Sequence, residues 1–298
     1  MPLTPTLSPQ AGRGSKTLSP SSCASGEREG PAQREGEGPV LPGELDDYLS
    51  LALSLADAAG EGIRPYFRQP LAVDDKADLT PVTIADRAAE QAMRSLIESR
   101  FPEHGIVGEE FGRVRETAEF VWTLDPIDGT KSFISGVPLF GTLIALTRAK
   151  RPILGIIDQP ISRERWVGVA GRPTTLNGAV VHCRACVGLA AAALFATTPD
   201  MFEGGDAAAF SRVSGAVKLT RFGADCYAYG LLAAGFIDLV LEASLKPYDF
   251  CAMVPIVEGA GGIATDWRGA HLDINSDGRI LVAGDRRTHR TALELIGG

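Results

Sequence analysis

Basic side chains are in short supply: 29 Lys and Arg face 37 Asp and Glu, for a formal net charge of −8. A nucleic-acid surface clusters cations to neutralise phosphates, so that class of partner is excluded, and any anionic substrate has to be met by local chemistry. Long apolar runs are missing too. The longest purely apolar stretches, such as 189–196, fall far short of the roughly 20 residues that span a bilayer. No charged-then-apolar leader opens the chain, so the expectation is a cytoplasmic protein without a membrane partner. The five cysteines are an odd number, scattered through a chain large enough to do without cross-links, which makes reduced thiols the default.

The histidines, four in all, form no H-E-x-x-H, and no G-x-S-x-G occurs, which removes two common hydrolase signatures. Cys183-Arg-Ala-Cys186 is a single C-x-x-C beside His182. Neither a second C-x-x-C nor a spaced histidine pair completes a zinc tetrahedron. Gly259 to Gly262 lacks the full G-x-G-x-x-G spacing of a dinucleotide fold. Asp273-Ile-Asn275-Ser-Asp277-Gly278 opens like an EF-hand loop, but its twelfth position is Gly284 where a bidentate Glu is required. A turn is expected there.

What is present is a globular chain of 298 residues, 45% hydrophobic, enough for one large core or two moderate ones. Residues 1–43 stand apart: Pro, Gly and Ser dominate, Thr-Leu-Ser-Pro occurs from Thr6 and again from Thr17, and apolar periodicity is absent. This predicts a disordered tail, as an over-assigned translation start would produce. From Glu44, the apolar residues Leu45, Leu49, Ala52, Leu53, Ala56, Ile63 and Phe67 recur at helical spacings to about residue 68. A second helix is predicted over 83–100, with Thr83 as N-cap. Segments 120–124, 140–147, 153–158 and 164–169 read as strands of a mostly antiparallel sheet. After about residue 185, strand-like 217–222 and 239–243, helical 227–235 and 250–260, and strands near Ile263 and Ile280 alternate. Two sub-domains are expected, an α+β one over 44–185 and an α/β one over 186–298, meeting at a cleft.

The segment TLDPIDGTKSF, from Thr123 to Phe133, places Asp125 and Asp128 where an apolar strand ends. Pro126 restrains the turn so that both carboxylates converge. Like charges so close are tolerated when a cation sits between them or one is protonated, and hard oxygen ligands favour Mg²⁺ or Mn²⁺. Upstream, VGEEFG carries Glu109 and Glu110 after another short apolar run; far downstream, KPYDF carries Asp249 ahead of a helix. A solvated acidic turn would explain Asp125 and Asp128. It leaves Glu109 and Asp249 unexplained.

Gly108-Glu109-Glu110, Asp125-Pro-Ile-Asp128-Gly-Thr130 and the late Asp249 together resemble the signature of the inositol monophosphatase superfamily of Mg²⁺-dependent, lithium-sensitive phosphatases, over roughly Glu44 to the C-terminus. The resemblance implies a layered α+β and α/β fold in the order αβαβα. It also implies that Glu109, Asp125 and the Ile127 carbonyl hold one metal while Asp125, Asp128 and Asp249 hold a second, with two or three ions in all. Thr130 would lie beside the attacking water, paired with Asp86. Lys76 and Asp78 match a mobile loop near a further metal position. Glu109, Asp125, Asp128 and Asp249 sum to −4, which repels a phosphate dianion until two Mg²⁺ neutralise it. Backbone N–H groups of Gly129 and Thr130, where they open a helix, would add donors to the phosphate oxygens. In such sites, with ions about 3.5–4 Å apart, one acidifies the attacking water and the other stabilises the leaving oxygen. Dimers are frequent in such families, so a homodimer is allowed.

Substrate choice falls outside the metal ligands. Glu242 lies seven residues before Asp249, where inositol phosphatases have a Glu that contacts a substrate hydroxyl, and Asp225 stands where they have a small residue. DPIDGTKSFISGVPLFGTLIAL, IDQP, ERWVG, TTPDMF and DCYAYGLLAAGFIDLVLEASLKPYDF are similar to the histidinol-phosphate phosphatases of this superfamily. That resemblance implies a phosphomonoester substrate bearing an ammonium and an imidazole; since a second carboxylate suits a cation better than a polyol, Asp225 and Glu242 are expected to pair with the ammonium. The plainer readings are an N-cap for Asp225 and an exposed strand position for Glu242. Lys131 either approaches the phosphate or forms a surface ion pair. The alternatives in function are an inositol-1-monophosphatase and, in another class, a non-catalytic metal- or phosphate-binding module, which would not need the Asp86 and Thr130 pair.

Overall fold

In the computed structural model, residues 42–69, 73–75 and 81–298 are described. Of the tail expected over 1–43, residues 1–41 lie outside them and the last two open a helix; the expected loop residues Lys76 and Asp78 also lie outside. Helix α1 (Pro42–Ile63) forms as predicted, but the stripe it buries is Tyr48, Leu51, Ala52, Leu55, Ala56, Ala59 and Ile63; of the expected residues Ala52, Ala56 and Ile63 lie on it, while Leu45, Leu49, Leu53 and Phe67 are only half-buried beside it. It stops short of residue 68 because Pro65 opens a separate 3₁₀ turn over Arg64–Tyr66. A hairpin of β1 (Val73–Asp75) and β2 (Pro81–Thr83) precedes α2 (Ile84–Arg100), so Thr83 closes a strand just before the helix.

The first large sheet takes β3 (Gly105–Gly108), β4 (Gly112–Val114), β5 (Phe120–Asp128), β6 (Gly141–Arg148), β7 (Arg151–Gln159), β8 (Glu164–Val169), β9 (Thr175–Leu176) and β10 (Ala179–Val180), with α3 (Thr130–Ile134) between β5 and β6. Its order is β10-β9-β8-β7-β6-β5-β3-β4, antiparallel except where β3 runs parallel to β5. After it come β11 (Ala193–Ala196), α4 (Gly205–Ser214), β12 (Leu219–Phe222), α5 (Tyr227–Ala233), β13 (Leu239–Glu242), α6 (Pro247–Phe250), α7 (Met253–Gly259), β14 (Ile263–Asp266), β15 (Ile280–Ala283) and α8 (Arg286–Gly297). Their sheet has the order β12-β11-β13-β15-β14, with β11 parallel to both neighbours and β15 antiparallel to both of its own.

Five layers result. Helices α1 and α2 pack on one face of the first sheet, α5 and α7 lie between the sheets, and α4 and α8 cover the far face of the second. The central layer is a continuous core in which Leu143, Ile157 and Trp166 meet Tyr229, Ile256, Val257, Val240 and Val282. Contact between α7 and the first sheet is backbone to backbone, since a Cβ on Gly155 would collide with the Ala252 carbonyl. This is the expected αβαβα layering.

Two local readings change. The helix expected over 250–260 is broken between α6 and α7, because Pro255 has no N–H to offer residue 251 and its ring crowds that carbonyl. Asp125 and Asp128 do not sit in a turn beyond the strand. β5 runs on through both, and its register slips between them, Asp125 facing Leu143 and Asp128 facing Gly141, so one extra residue is accommodated as a bulge.

Candidate metal centre

The bulge organises the acidic segment. Pro126 cannot donate to the sheet, and its carbonyl accepts from Thr142 Oγ1 at 2.8 Å while Asp125 Oδ1 accepts from the Ile127 N–H at 3.1 Å. Gly129 then takes φ 87°, a left-handed conformation that costs glycine little, and the chain turns directly into α3 at Thr130. Thr130 donates its hydroxyl to the Ile127 carbonyl at 3.1 Å. Asp128 Oδ2 accepts the Cys226 N–H at 2.6 Å, tying the first sheet to the entrance of α5. Asp249, in α6, accepts the Lys246 N–H at 2.7 Å.

One carboxylate oxygen from each of Asp125, Asp128 and Asp249 lies within 4.8 Å of the others, and among the described residues this is the grouping of His, Cys, Asp or Glu able to hold an ion. Asp125 is buried and its two partners are half-buried. Burial first, and then Glu109, Asp128, Asp249 and Asp86, push the Asp125 carboxyl well above its ordinary range. Burial and the neighbouring Asp225 and Asp249 do the same to Asp128. Asp249 is pushed up to about 7 by burial and by Glu109 and Glu242, against the pull of the Lys246 N–H. Glu109 is outside the tight trio, yet its charge is felt by two of its members, and Asp86 adds to the same field. Buried oxygens crowded with like charge are destabilised alone and favoured by a hard cation, so the donor set fits a divalent metal.

Glu90, a residue the sequence reading missed, anchors the Glu109 loop. Fully buried on α2, it accepts Arg94 Nε at 2.7 Å, the Glu110 N–H at 2.7 Å and the Phe111 N–H at 3.1 Å, while Arg94 Nη2 donates to the Gly112 carbonyl at 2.5 Å. The signal was a Glu and an Arg four residues apart on the stripe of α2 that carries Ala89, Met93 and Ile97.

Asp225 and Glu242 both lie inside. Asp225 Oδ2 accepts from Ser132 Oγ at 2.8 Å, and a Cβ on Gly129 would stand 2.9 Å from its carboxyl carbon. It is therefore not the N-cap of α5, whose preceding residue is Cys226 without a side-chain cap. Burial raises its pKa, which Ser132 and the Lys131 charge partly offset. Lys131 thus acts on Asp225. Glu242 is 2% exposed, against the reading of an open strand position. Its Oε1 accepts the Thr197 N–H at 2.7 Å and hydroxyl at 2.6 Å, and its Oε2 accepts the Tyr229 hydroxyl at 2.6 Å. Burial lifts its pKa too.

Cys183 and Cys186 are free thiols, that of Cys183 pushed up to about 11 by burial. The 273–278 segment closes on itself, Asp273 Oδ1 accepting the Asn275 N–H and Ser276 Oγ accepting the Asp273 N–H, as a turn does. Among the described residues no helix is long and apolar enough to cross a membrane.

Comparison with known proteins agrees with this geometry. The model of the inositol monophosphatase family matches residues 44–297. The chain is 51% identical to the bifunctional phosphatase IMPL2, chloroplastic, of Arabidopsis thaliana over 262 residues, covering 85% of this chain and 76% of that protein. It is 36% identical to a histidinol-phosphatase of Chlorobaculum parvum, covering 84% and 96% respectively. A solved inositol monophosphatase from Zymomonas mobilis superposes with a TM-score of 0.79 at 51% identity, covering 85% of this chain and 98% of the other. With its five layers and its acidic centre, this chain belongs to the inositol monophosphatase family.

Proposed function

We propose that this phosphatase is a Mg²⁺-dependent phosphomonoesterase acting on histidinol phosphate. Glu109, Asp125, Asp128, Asp249 and the Ile127 carbonyl are the groups that would hold Mg²⁺, or Mn²⁺ in its place. Bound there, such ions supply Lewis-acid charge to the phosphate and acidify an attacking water. Asp86 and Thr130 are assigned to hold and orient that water, Asp86 as the proton acceptor. The N–H groups of Gly129 and Thr130 are assigned to the phosphate oxygens.

The observation that carries the substrate is Asp225. A half-buried carboxylate, held by Ser132 and close enough to Asp128 to raise its pKa, is poor company for a polyol and good company for an ammonium. The relatives named histidinol-phosphatase support the same reading. Glu242, with Oε2 bonded once and Oε1 twice, keeps one acceptor position and serves Asp225 chiefly by adding negative potential. A second reading, that inositol phosphates are also hydrolysed, is favoured by the relative named as bifunctional and by the inositol monophosphatase of similar structure.

Phosphate release is to be measured from histidinol phosphate, inositol 1-phosphate and fructose 1,6-bisphosphate, each with and without Mg²⁺. Histidinol phosphate is expected to be turned over best. Charge-assisted contacts are worth about 1.5–3 kcal/mol. Asp225→Asn should accordingly raise KM for histidinol phosphate about tenfold or more while leaving a neutral ester such as glycerol 2-phosphate nearly unchanged. Equal losses on both esters remove the ammonium assignment, and no Mg²⁺-dependent release from any ester leaves a binding module instead.

A further inference from the structure

A cavity of about 440 Å³ opens between α1, the β7–β8 turn and β9, and no carboxylate of the acidic centre lines it. Its sign is the opposite of that centre. Arg64, Arg163 and Arg165 line it, against one lining carboxylate, Asp158. Arg165 is committed, its Nε to Asp158 at 2.6 Å and its Nη2 to Asp57 at 2.8 Å. Arg64 feels Asp158 at longer range, and among the described residues neither Arg64 nor Arg163 has a carboxylate within ion-pair distance. Both are exposed. In a chain of net charge −8, two arginines without an ion-pair partner in the lining of one cavity are a local reversal of the field.

The cavity is also built in advance. Gln159 Oε1 accepts the Ile161 and Ser162 N–H groups at 2.7 and 2.6 Å, and the Arg163 N–H donates to the Gln159 carbonyl at 2.9 Å. Asn177, from beyond β9, clamps that turn by donating Nδ2 to the Arg163 carbonyl and accepting the Arg165 N–H. Leu49, Leu53 and Val167 supply an apolar floor. Gly60 leaves room for Arg64 to lie over the helix, for a Cβ there would come 2.8 Å from its Nη1. A partly apolar cavity of this size, with two arginines in its lining and a hydrogen-bonded turn carrying one of them, has the form of a small-molecule site.

We propose that it binds a small organic anion whose phosphoryl-type dianionic head is held by Arg64 and Arg163 and whose apolar body rests on Leu49, Leu53 and Val167. This site needs no metal, whereas the acidic centre without metal repels anions. The difference makes the proposal independent of the catalytic reading.

The experiment is calorimetric titration of the full chain, freed of metal by EDTA, with phenylphosphonate, which carries the dianion and an apolar ring. One saturable site is expected in the millimolar range or tighter, weakening with salt. Arg64→Ala with Arg163→Ala should lower affinity at least tenfold, Arg64→Lys should lose less, and Asp125→Asn should change nothing. Both arginines are exposed, so circular dichroism should find the variants folded. Three results overturn the proposal: no saturable binding in EDTA, undiminished binding by the double variant, or binding that requires Mg²⁺ and fails in Asp125→Asn. Benzoate binding as tightly as phenylphosphonate overturns the dianion assignment.

Discussion

Glu90→Ala removes the centre of the clamp behind the Glu109 loop. The side chain is 0% exposed and accepts three bonds, and Arg94, 5% exposed, keeps after the change only the Gly112 carbonyl. Leaving one partner of a buried pair uncompensated costs about 3–5 kcal/mol. With an m-value of about 3 kcal/mol per M, the urea midpoint should fall by about 1–1.7 M. Because Glu109 adjoins Glu110, whose N–H bonds to Glu90, the same change should raise the Mg²⁺ concentration that gives half-maximal phosphate release. Urea unfolding followed by fluorescence, and Mg²⁺ titration of activity, provide the two readouts. Removing both charges together in Glu90→Gln with Arg94→Met should cost less than Glu90→Ala alone, since no bare charge stays buried. A fall worth less than about 1 kcal/mol, the scale of an exposed pair, would refute the reasoning.

Two further outcomes follow from the buried carboxylates. The folded-state pKa of Asp249 stands at about 7 against 3.8, so the stability it contributes is full below 3.8 and lost as the pH rises through about 7. In EDTA, Asp249→Asn should therefore gain on the wild type in thermal unfolding as the pH is raised through that window, and Mg²⁺ should reverse the order; a difference independent of pH refutes the assignment. Tyr229→Phe deletes the donor 2.6 Å from Glu242 Oε2 without opening a cavity, and should cost about 1–3 kcal/mol in urea unfolding. A neutral result would mean that Glu242 is satisfied by other means.

Much of the centre was legible because its chemistry is local. An apolar run followed by Asp-Pro-Ile-Asp-Gly-Thr carries its own constraints: proline withholds a donor, glycine admits φ 87°, and two carboxylates three residues apart need a counter-charge. That these residues lie within a bulged strand and not a turn was not legible, because strand pairing is decided by β6 across the sheet. The existence of α1 and the alternation of the second half likewise read directly from periodicity, whereas the face that α1 buries was shifted, with Leu51 and Leu55 inside in place of Leu49 and Leu53. Strand β11 and helices α4 and α8 did not, since short segments gain their state from the layers that cover them.

Glu90, Asp225 and Glu242 mark the limit most clearly. Taken by type and spacing, they are an ordinary helix acid, a helix cap and a strand acid; folded, each is enclosed by partners 20 to 93 residues away. By itself the sequence determined the residue types, the metal-seeking chemistry of the acidic segment and the family to which the chain belongs. Only the tertiary structure decided which charges meet. Asp249 reaches Asp125 and Asp128 because α6 packs against β5, and three arginines, from the turn after α1, the β7–β8 turn and β8, line a separate cavity. Electrostatic energy depends on distance through space and on burial, and neither quantity is written in the spacing along the chain.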